Sequence, residues 1–455
     1  MFALPFFVVA RWSLCLTSTH TFIYYYTMAK NTRRLPGMPQ IFPPAAEQKE
    51  GNRMGNQVVA GIVAEYNPFH NGHAHLIEAA RAAGATHIVA VMSGSFVQRG
   101  GPACAPKTVR ANAAVACGAD LVLELPLPYA MATAERFAAG AVGILGGLGC
   151  VDVLAFGSEC GDIDLLAKAA GAVLAPYCGE YTKNLLDTGV TYARARQKAV
   201  EELYGPEVAE VLSSPNNTLA VEYLKQISLQ ELRIAPFTIP RAGAAHDARE
   251  PGEQFASASH LRNLLDLESA EALAPYVPAA AMSVYRSAAA AGLMPFDPHS
   301  LNTAVLSTLR RMEKSAFSAL PDVSGEGLDN RLYDGVRAAV SLDELLSLVK
   351  TKRYPLSRIR RLVWNAYLGV DADLMTLPPP YARVLSFNKR GMEILSAANR
   401  TTRIPVSHSL LKLAEKNEAC ARFASLEARA TDLYSLGLPA VQPCGSDYTQ
   451  KITVR

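Results

Sequence analysis

Hydrophobic and polar positions along the first half of the chain follow an order that predicts strands and helices in turn. Apolar runs with the length of buried strands lie at 57–64, 86–92, 120–125 and 151–156. Stretches with a helical spacing of apolar residues lie between them, at 72–83, 107–117 and 133–148. Gly84 and Gly118 stand where the first two helices would end. This order is typical of a parallel sheet covered by helices, and we predict a Rossmann-like, doubly wound α/β domain.

The strand pattern fades after about residue 275. Stretches rich in Ala, Leu and Arg dominate from there on, and they are broken by a glycine-rich loop at 325–327 and a proline run at 378–380. We therefore expect two folded parts: an α/β domain over 54–275 and a mainly α-helical domain over 276–455.

The first 53 residues follow neither pattern. The apolar start at 1–10 has no basic residue before it, and Arg11 comes after it, which is not the order of a secretory signal. We expect residues 1–53 to lie outside the core, as a disordered or untranslated stretch, with Met54 as the start. Nowhere do 18 apolar residues follow one another without interruption, so we predict no transmembrane helix and no membrane partner.

Composition narrows the class of protein. Half of the 455 residues are hydrophobic, which suits a globular chain with a large core. The eight cysteines form no CxxC pair and no Cys/His set at zinc-ligand spacing, so we interpret them as reduced thiols of a cytoplasmic protein. The net charge is only +3, but residues from 276 onward carry 23 Lys and Arg against 16 Asp and Glu. That excess indicates either a polyanionic partner or a solvated basic surface.

The segment between the first strand and the first helix carries the strongest chemical signal, with the sequence EYNPFHNGH over 65–73. Gly72 lets a phosphate approach the backbone, and the free N–H groups of the following helix face that phosphate. One histidine beside a turn is most often a structural residue. His70 and His73, however, fall on one helix face and can donate hydrogen bonds to the same anion. HxGH at this crossover resembles the motif of HIGH-type nucleotidyltransferases, which adenylylate their substrates, and we predict both histidines as catalytic.

Further segments make the resemblance narrower. In order and spacing the chain resembles the bacterial tRNA(Met) cytidine acetate ligase family through GIVAEYNPFHNGH (61–73), MSGSFVQRGGPA (92–103), GADLVLELPLPYA (118–130), FGSECGD (156–162), SSPNNTLAVEYLK (213–225), IPRAGAAH (239–246) and SASHLR (257–262). The resemblance covers about 57–455. It is weaker in the helical half, where TKRYPLSRIRRLV (351–363) is the best match.

That resemblance implies an enzyme that makes acetyl-adenylate from acetate and ATP and passes the acetyl group to N4 of the wobble cytidine of elongator tRNA(Met). The residues that match the family's ATP-binding positions are Val63, Ala64, Glu65, Tyr66, Asn67, Pro68, Phe69, His70, Asn71, Gly72, His73, Ala74, His75, Leu76, Gly157, Asn216 and Arg241. Gly157 follows a strand at the carboxyl end of the sheet, Asn216 offers a donor and an acceptor, and Arg241 offers a fork to phosphate. Without the resemblance, these three would be interpreted as a turn, a helix cap and a surface ion pair.

Other side chains are candidates for contacts with phosphate or substrate: Gln98, Arg99, Lys107, Ser257, Ser259 and Arg262. A serine before a helix is also a good cap. Pro106 stands where we expect an aspartate before the lysine, so a carboxylate that could help hold a metal or a substrate is missing or moved. We still expect Mg²⁺ to assist the departure of pyrophosphate from ATP.

A basic stretch in the second half is the candidate tRNA-binding segment. Its cations are Lys350, Lys352, Arg353, Arg358, Arg360 and Arg361. No acidic residue interrupts them, and Tyr354 and Trp364 lie nearby. Such a cluster can neutralise phosphates while aromatic rings stack on bases, although a solvated helix face would have the same composition. The resemblance favours tRNA, and we expect no DNA partner.

Two other functions stay open at this point. A small-molecule adenylyltransferase of the pantetheine-phosphate or nicotinamide-mononucleotide type would use the same motif but would leave the basic half unexplained. A catalytically silent RNA-binding module would keep only the fold. Release of pyrophosphate from ATP with acetate, with a mononucleotide or with neither distinguishes the three.

Overall fold

The computed structural model describes residues 57–241, 255–323 and 327–454. The predictions for residues 1–53 lie outside this part of the chain. Within the described ranges, no helix is both long and apolar enough to cross a membrane.

The first half alternates strands and helices as predicted. Its elements are β1 (Val59–Ala64), α1 (Asn71–Ala82), β2 (His87–Ser93), β3 (Phe96–Val97), β4 (Gly101–Pro102), α2 (Lys107–Ala116), β5 (Leu121–Leu125), α3 (Leu127–Ala130), α4 (Ala134–Leu148), β6 (Val153–Ser158), α5 (Ile163–Leu174), α6 (Pro176–Leu186), α7 (Tyr192–Tyr204), α8 (Pro206–Glu210), α9 (Pro215–Leu229) and β7 (Ala235–Pro240). The four predicted strands correspond to β1, β2, β5 and β6, and the three predicted helices to α1, α2 and α4. Each end lies within two residues of its prediction.

The second half is mainly helical, which confirms the predicted fold class. Its elements are α10 (Ala258–Leu267), α11 (Ala279–Ala290), α12 (Asn302–Arg311), α13 (Lys314–Ser318), α14 (Leu328–Ala338), α15 (Leu342–Val349), α16 (Leu356–Leu368), β8 (Ala382–Phe387), α17 (Lys389–Thr401), β9 (Val406–Ser407), α18 (Leu410–Ala414), α19 (Glu418–Ser435), α20 (Ser446–Thr449) and β10 (Thr453–Val454). Short 3₁₀ turns occur at Val211–Ser213, Ala270–Leu273, Pro298–Leu301 and Ala372–Met375.

One sheet organises the molecule, with strand order β10-β8-β5-β2-β1-β6-β7, and β9 also pairs with β8. Every pair in it is parallel except β5 with β8. The chain builds outward from β1 through β2 to β5, then crosses to β6 and β7 on the other side. The switch of direction therefore falls between β1 and β6, where open α/β sheets bind ligands at the carboxyl ends of their strands.

Side chains of the central strand β2 alternate between two apolar layers. Ile88, Ala90 and Met92 belong to the layer with α1, α2 and α11, whereas Val89 and Val91 belong to the layer with α4, α16 and α19. A strand buried on both faces has no polar face, which explains its continuous apolar sequence.

The sheet extends beyond the first half, which the sequence pattern did not indicate. The strand β8 lies antiparallel beside β5, and β10 lies parallel beside β8. These strands are short and scattered among helices, so their periodicity is weak. The domain boundary near 275 stays a prediction, but the two parts that it separates share a sheet.

Candidate nucleotide-binding site

The loop from β1 to α1 crosses the carboxyl edge of the sheet and is held in place by a buried arginine. Arg110, on α2, is fully buried, and its guanidinium donates to the backbone carbonyls of Glu65, Ser93 (3.1 Å), Gly94 and Ala105 (2.9 Å). The ends of β1 and β2 are thereby tied to one side chain. Such charge-assisted bonds to carbonyls are strong in a dry interior, so the loop is preorganised before any ligand arrives.

The two histidines of the motif are oriented by the backbone of the helix start. His70 is the N-cap of α1, and its Nδ1 accepts the backbone N–H of Gly72 at 3.1 Å. The Nδ1 of His73 accepts the backbone N–H of His70 at 3.2 Å. An acceptor at Nδ1 places the proton of a neutral imidazole on Nε2, so each ring keeps an Nε2–H donor.

Both rings are neutral at physiological pH. Burial lowers the pKa of His70 to about 3, and the charges of Arg241 and Arg262 add to this effect. Burial, the neighbouring His70 and Arg241 hold the pKa of His73 well below its usual value. The rings stack with centroids 3.8 Å apart, which two imidazolium ions would resist. The pair therefore offers hydrogen-bond donors rather than cations.

Gly72 is required by the ring of His70. A Cβ at position 72 would lie 2.9 Å from Cε1 and 3.1 Å from Nδ1 of that ring. A side chain there would push the imidazole off its hydrogen bond. The glycine of HxGH thus leaves room for the ring of His70 and also lets a phosphate approach the backbone.

The wall opposite α1 is built from β6, β7 and the start of α9. Arg241 donates through Nη1 to Oδ1 of Asn216 at 3.1 Å, and Asn216 donates through Nδ2 to Oε1 of Glu159 at 2.6 Å. A Cβ on Gly157 would lie 3.2 Å from Cγ of Arg241, so glycine leaves room for that side chain. The three predicted residues Gly157, Asn216 and Arg241 are therefore brought together.

A third wall comes from the start of α10. Ser257 caps this helix by accepting the N–H of His260 at 3.2 Å, which confirms its interpretation as a cap. Arg262 donates to the backbone carbonyl of Asn67 at 2.9 Å and to Oγ of Ser259 at 3.1 Å. The late helix thereby fastens onto the β1–α1 loop.

These walls enclose a cavity of about 390 Å³ at the switch point. The predicted residues that line it are Val63, Ala64, Glu65, Tyr66, Asn67, His70, His73, Leu76, Gln98, Arg99, Gly157, Asn216, Arg241, Ser257, Ser259 and Arg262. Seven predicted positions are not among the lining residues: Pro68, Phe69, Asn71, Gly72, Ala74, His75 and Lys107. Phe69 is instead buried and its N–H donates to the Tyr285 hydroxyl at 2.8 Å. The loop therefore contributes through its backbone path as much as through its side chains.

An apolar part of the cavity was not predicted. It is formed by Ile62, Phe137, Phe156, Leu219 and Tyr223, with Ala134, Ala258, Pro215 and Thr218 completing the lining. Phe156 directly precedes Gly157, and Leu219 and Tyr223 follow Asn216 at helical spacing, so a helical wheel from that residue could have found them. An apolar surface with a few convergent polar groups is the usual form of a small-molecule site.

Lys107, predicted as a contact with phosphate or substrate, lies in a buried ion network. Its Nζ lies 2.6 Å from Oε1 of Glu124 and 2.6 Å from Oδ2 of Asp447, and it is buried. Arg383 joins the same two carboxylates at 3.0 Å each. Burial opposes the charge of Lys107, but Asp447 and Glu124 raise its pKa above the usual value. The lysine thus belongs to a buried ion network outside the cavity lining, which favours a structural role.

The six cations of the basic segment differ in how far they are buried. Lys350, Lys352, Arg353 and Arg360 are exposed, and Arg358 is half-buried with donors 2.9 and 3.2 Å from the carbonyl of Asp322. Arg361 is buried and pairs with Oδ2 of Asp322 at 3.3 Å. Arg361 thus differs from the exposed cations of the segment, and its contact with tRNA stays a prediction. Tyr354 and Trp364 are also buried, so their rings are core residues and not stacking surfaces.

The chain is similar to known proteins over most of its length. A family model described as HIGH Nucleotidyl Transferase matches residues 57–448. A tRNA(Met) cytidine acetate ligase of Alkaliphilus metalliredigens is 37% identical over 400 residues, which are 84% of this chain and 94% of that one. Its counterpart in Acetivibrio thermocellus is 35% identical over 416 residues, covering 87% and 99%.

Two solved structures are similar over their whole length. The apo crystal structure of Thermotoga maritima TmcAL is 31% identical, with a TM-score of 0.83, and covers 88% of this chain and 100% of that one. The crystal structure of the same protein bound with alpha-thio ATP has a TM-score of 0.82 at the same identity and coverage.

Proposed function

Since the chain belongs to the HIGH nucleotidyl transferase family, and within it to the tRNA(Met) cytidine acetate ligases, we propose that it activates acetate with ATP and acetylates N4 of the wobble cytidine of elongator tRNA(Met). The family assignment made from the sequence motifs is confirmed. The proposed enzyme uses tRNA and ATP, both of which are present in the cytoplasm, so we propose a cytoplasmic location.

The observation that carries the proposal is the pair of neutral histidines at the switch point. Their Nδ1 atoms are occupied by backbone N–H groups, so Nε2–H is the donor of each ring. A donor of fixed orientation in a dry site stabilises charge that develops on phosphoryl oxygens during the reaction. We therefore assign His70 and His73 to the α-phosphate of ATP.

The remaining walls fit the rest of the nucleotide. The apolar part of the cavity with Phe156, Leu219 and Tyr223 suits the adenine ring, and Asn216 offers polar groups to base or ribose. Arg241 and Arg262 line the same cavity as the histidines, and their forks suit the β- and γ-phosphates.

Among the described residues, no group of three or more His, Cys, Asp and Glu side chains could hold a metal ion. Two carboxylates of the site are engaged, since Glu65 accepts the N–H of Gln98 at 2.9 Å and Glu159 accepts from Asn216. The expected Mg²⁺ stays a prediction, and we assign charge neutralisation to the arginines.

The first reaction forms the acyl donor. A carboxylate oxygen of acetate attacks the α-phosphorus of ATP, the bond from that phosphorus to the bridging oxygen breaks, and pyrophosphate leaves with the bonding electrons. The hydrogen bonds from the histidines grow stronger as charge builds on the α-phosphoryl oxygens. The product is acetyl-adenylate, a mixed anhydride.

The second reaction transfers the acetyl group. The N4 amine of cytidine attacks the acetyl carbonyl, a carbon–nitrogen bond forms, the bond to the phosphate oxygen breaks, and AMP leaves while the amine gives up a proton. Holding the base against the anhydride replaces a slow bimolecular encounter. The exposed cations of the basic segment, Lys350, Lys352, Arg353 and Arg360, are the groups that we assign to the tRNA backbone.

The test is to incubate the protein with labelled acetate, ATP, Mg²⁺ and unmodified elongator tRNA(Met), and then to digest the RNA to nucleosides. We expect label in N4-acetylcytidine, one per tRNA, without acetyl-coenzyme A. Acetate-dependent exchange between ATP and pyrophosphate should occur without tRNA. Turnover of a mononucleotide substrate instead would identify a small-molecule adenylyltransferase, and binding of tRNA without any exchange would identify a silent RNA-binding module.

A further inference from the structure

A short hairpin connects the cavity to the basic segment. Strands β3 and β4 pair antiparallel, and the turn between them carries Gln98, Arg99 and Gly100. Both Gln98 and Arg99 line the cavity. The backbone N–H of Gln98 donates to Oε1 of Glu65 at 2.9 Å, so the start of the turn is fixed to the loop that follows β1.

The other end of the turn rests on α16. Gly100 has φ of +80°, and a Cβ on it would lie 2.6 Å from the backbone nitrogen of Arg361 and 2.8 Å from Cβ of Arg360. A side-chain carbon does not come this close to backbone atoms in real proteins. Only glycine therefore allows the turn to contact α16 at this position. Neighbouring Gly101 is different, because the nearest atom to its Cβ would be Nε1 of Trp364 at 3.9 Å.

The helix that receives this contact is itself held firmly. Arg361 pairs with Asp322, and the ring of Trp364 lies 5.5 Å from that of Phe96 on the hairpin. Arg99 is therefore placed between two fixed points, one on Glu65 and one on α16. The side chain of Arg99 is exposed at the rim of the cavity. Arg360 is also exposed, and its Cβ lies beside Gly100.

We propose that this turn sets the register of the RNA against the acetyl-adenylate, with Arg99 and Arg360 binding the backbone phosphates that flank the cytidine and with Gly100 as the positioning residue. The inference rests on the proposed function. A base that enters a cavity leaves its own phosphates at the rim, and cations there neutralise them. The cations assigned to the nucleotide phosphates, Arg241 and Arg262, lie on the other walls.

A change at Gly100 should affect the two half-reactions differently. Moving Gly100 away from α16 displaces Arg99, whereas Glu65 still holds Gln98 and the β1–α1 loop is held by Arg110. Acetyl-adenylate formation should then survive a change that spoils acetyl transfer. A displacement of about 1 Å at a reacting group can cost about 100-fold in rate.

The first experiment compares Gly100→Ala with Gly101→Ala in the full-length protein, with thermal unfolding as a check on folding. For Gly100→Ala we expect acetate-dependent pyrophosphate exchange with a KM for ATP within about twofold of wild type. We expect kcat for acetylation of tRNA to fall by at least about 10-fold, with a smaller rise in the KM for tRNA. Gly101→Ala should match wild type in both reactions. Equal losses in both half-reactions, or no loss in either, would overturn the proposal.

The second experiment keeps the proposal testable if Gly100→Ala does not fold. Arg99→Ala, Arg360→Ala and the double variant are compared for the salt dependence of tRNA binding. Each single change should lower the slope of log affinity against log salt by about 1. The two losses of binding free energy should not add, because the cations flank one nucleotide. An unchanged slope in Arg99→Ala would refute the assignment, whereas a wild-type protein without N4-acetylcytidine formation would refute the proposed function instead.

Discussion

The Nδ1 of His73 accepts the backbone N–H of His70 at 3.2 Å, so the second histidine of the motif holds the peptide that carries the first. Each imidazole therefore has a structural atom and a chemical atom. Substitutions that keep one atom and remove the other can distinguish these roles.

The variant His70→Asn should separate capping from catalysis. Asparagine is a good N-cap and keeps an acceptor near the position of Nδ1, but it has no donor at the position of Nε2. We expect near-normal thermal stability and a loss of about 100-fold to 1,000-fold in acetate-dependent pyrophosphate exchange. His70→Ala should lose the same activity and also about 1 kcal/mol of stability. Near-normal exchange in both variants would show that the catalytic centre lies elsewhere.

Acid should destabilise the protein through these histidines before it protonates them in the folded state. The pKa of His70 is about 3 in the folded protein against an ordinary value of 6.5. The unfolded chain therefore binds protons first, and the contribution of the neutral ring to stability is complete above about 6.5 and is lost as pH falls toward about 3. We expect the free energy of unfolding of wild type to fall with pH across this window, and to fall less steeply in His70→Asn. Identical slopes in chemical denaturation would contradict the lowered pKa.

Gly72→Ala tests whether the ring of His70 needs the glycine. The new Cβ would meet the imidazole at 2.9 Å, so the ring must turn away from its hydrogen bond with the helix start. We expect exchange activity to fall by at least about 10-fold. The matched control is Gly171→Ala on α5, where a Cβ would meet nothing within 4 Å. It should leave activity unchanged and raise stability by up to about 1 kcal/mol, as helical glycine-to-alanine changes do. Full activity in Gly72→Ala would refute the steric argument.

Removal of exposed lysines in the basic segment should weaken tRNA binding in a salt-dependent way. Lys350→Ala and Lys352→Ala should each reduce the slope of log affinity against log salt by about 1, while pyrophosphate exchange without tRNA stays at the wild-type rate. The control is Lys198→Ala, an exposed lysine on α7 outside this segment. Equal effects of all three changes on filter-binding isotherms would mean that the segment is an ordinary solvated surface.

Lys107→Met should act on folding and not on ATP. The change leaves Glu124 and Asp447 buried with one cation fewer, and breaking a buried pair in this way costs about 3–5 kcal/mol. We expect a lower midpoint of thermal unfolding and, in the folded fraction, a KM for ATP within about twofold of wild type. Lys168→Met, at an exposed position of α5, should change stability by less than about 0.5 kcal/mol. A raised KM with unchanged stability would restore Lys107 as a phosphate contact.

The parts of the site that could be predicted from the sequence are those made by neighbouring residues. The strand, loop and helix around His70 and His73 form one local unit, and the caps at His70 and Ser257 follow from the same local rules. The role of Lys107 could not be found in this way, because its partner Asp447 lies 340 residues away. The burial of Arg361 depends likewise on Asp322, which only the packing of α16 brings near.

The resemblance to the family predicted some residues that are far apart in the sequence but close together in the site. Gly157, Asn216 and Arg241 meet on one wall although they belong to three separate elements, and nothing in their local sequence demands it. The apolar lining was missed because Phe156 and Tyr223 have the sequence signature of ordinary core residues. Whether an aromatic ring faces a core or a cavity depends on what packs over it, which periodicity does not encode.

The antiparallel strand β8 has a consequence for the protein during its synthesis. Until residues 382–387 have left the ribosome, β5 is an outer strand with unpaired backbone groups, and such an edge invites contact with other chains. Lys107 and Glu124 can pair with each other early, but Arg383 and Asp447, which complete their buried ion network, emerge later. The nucleotide-binding half therefore completes its sheet only after residues 382–387 are available, and its buried ion network only after Asp447 is available.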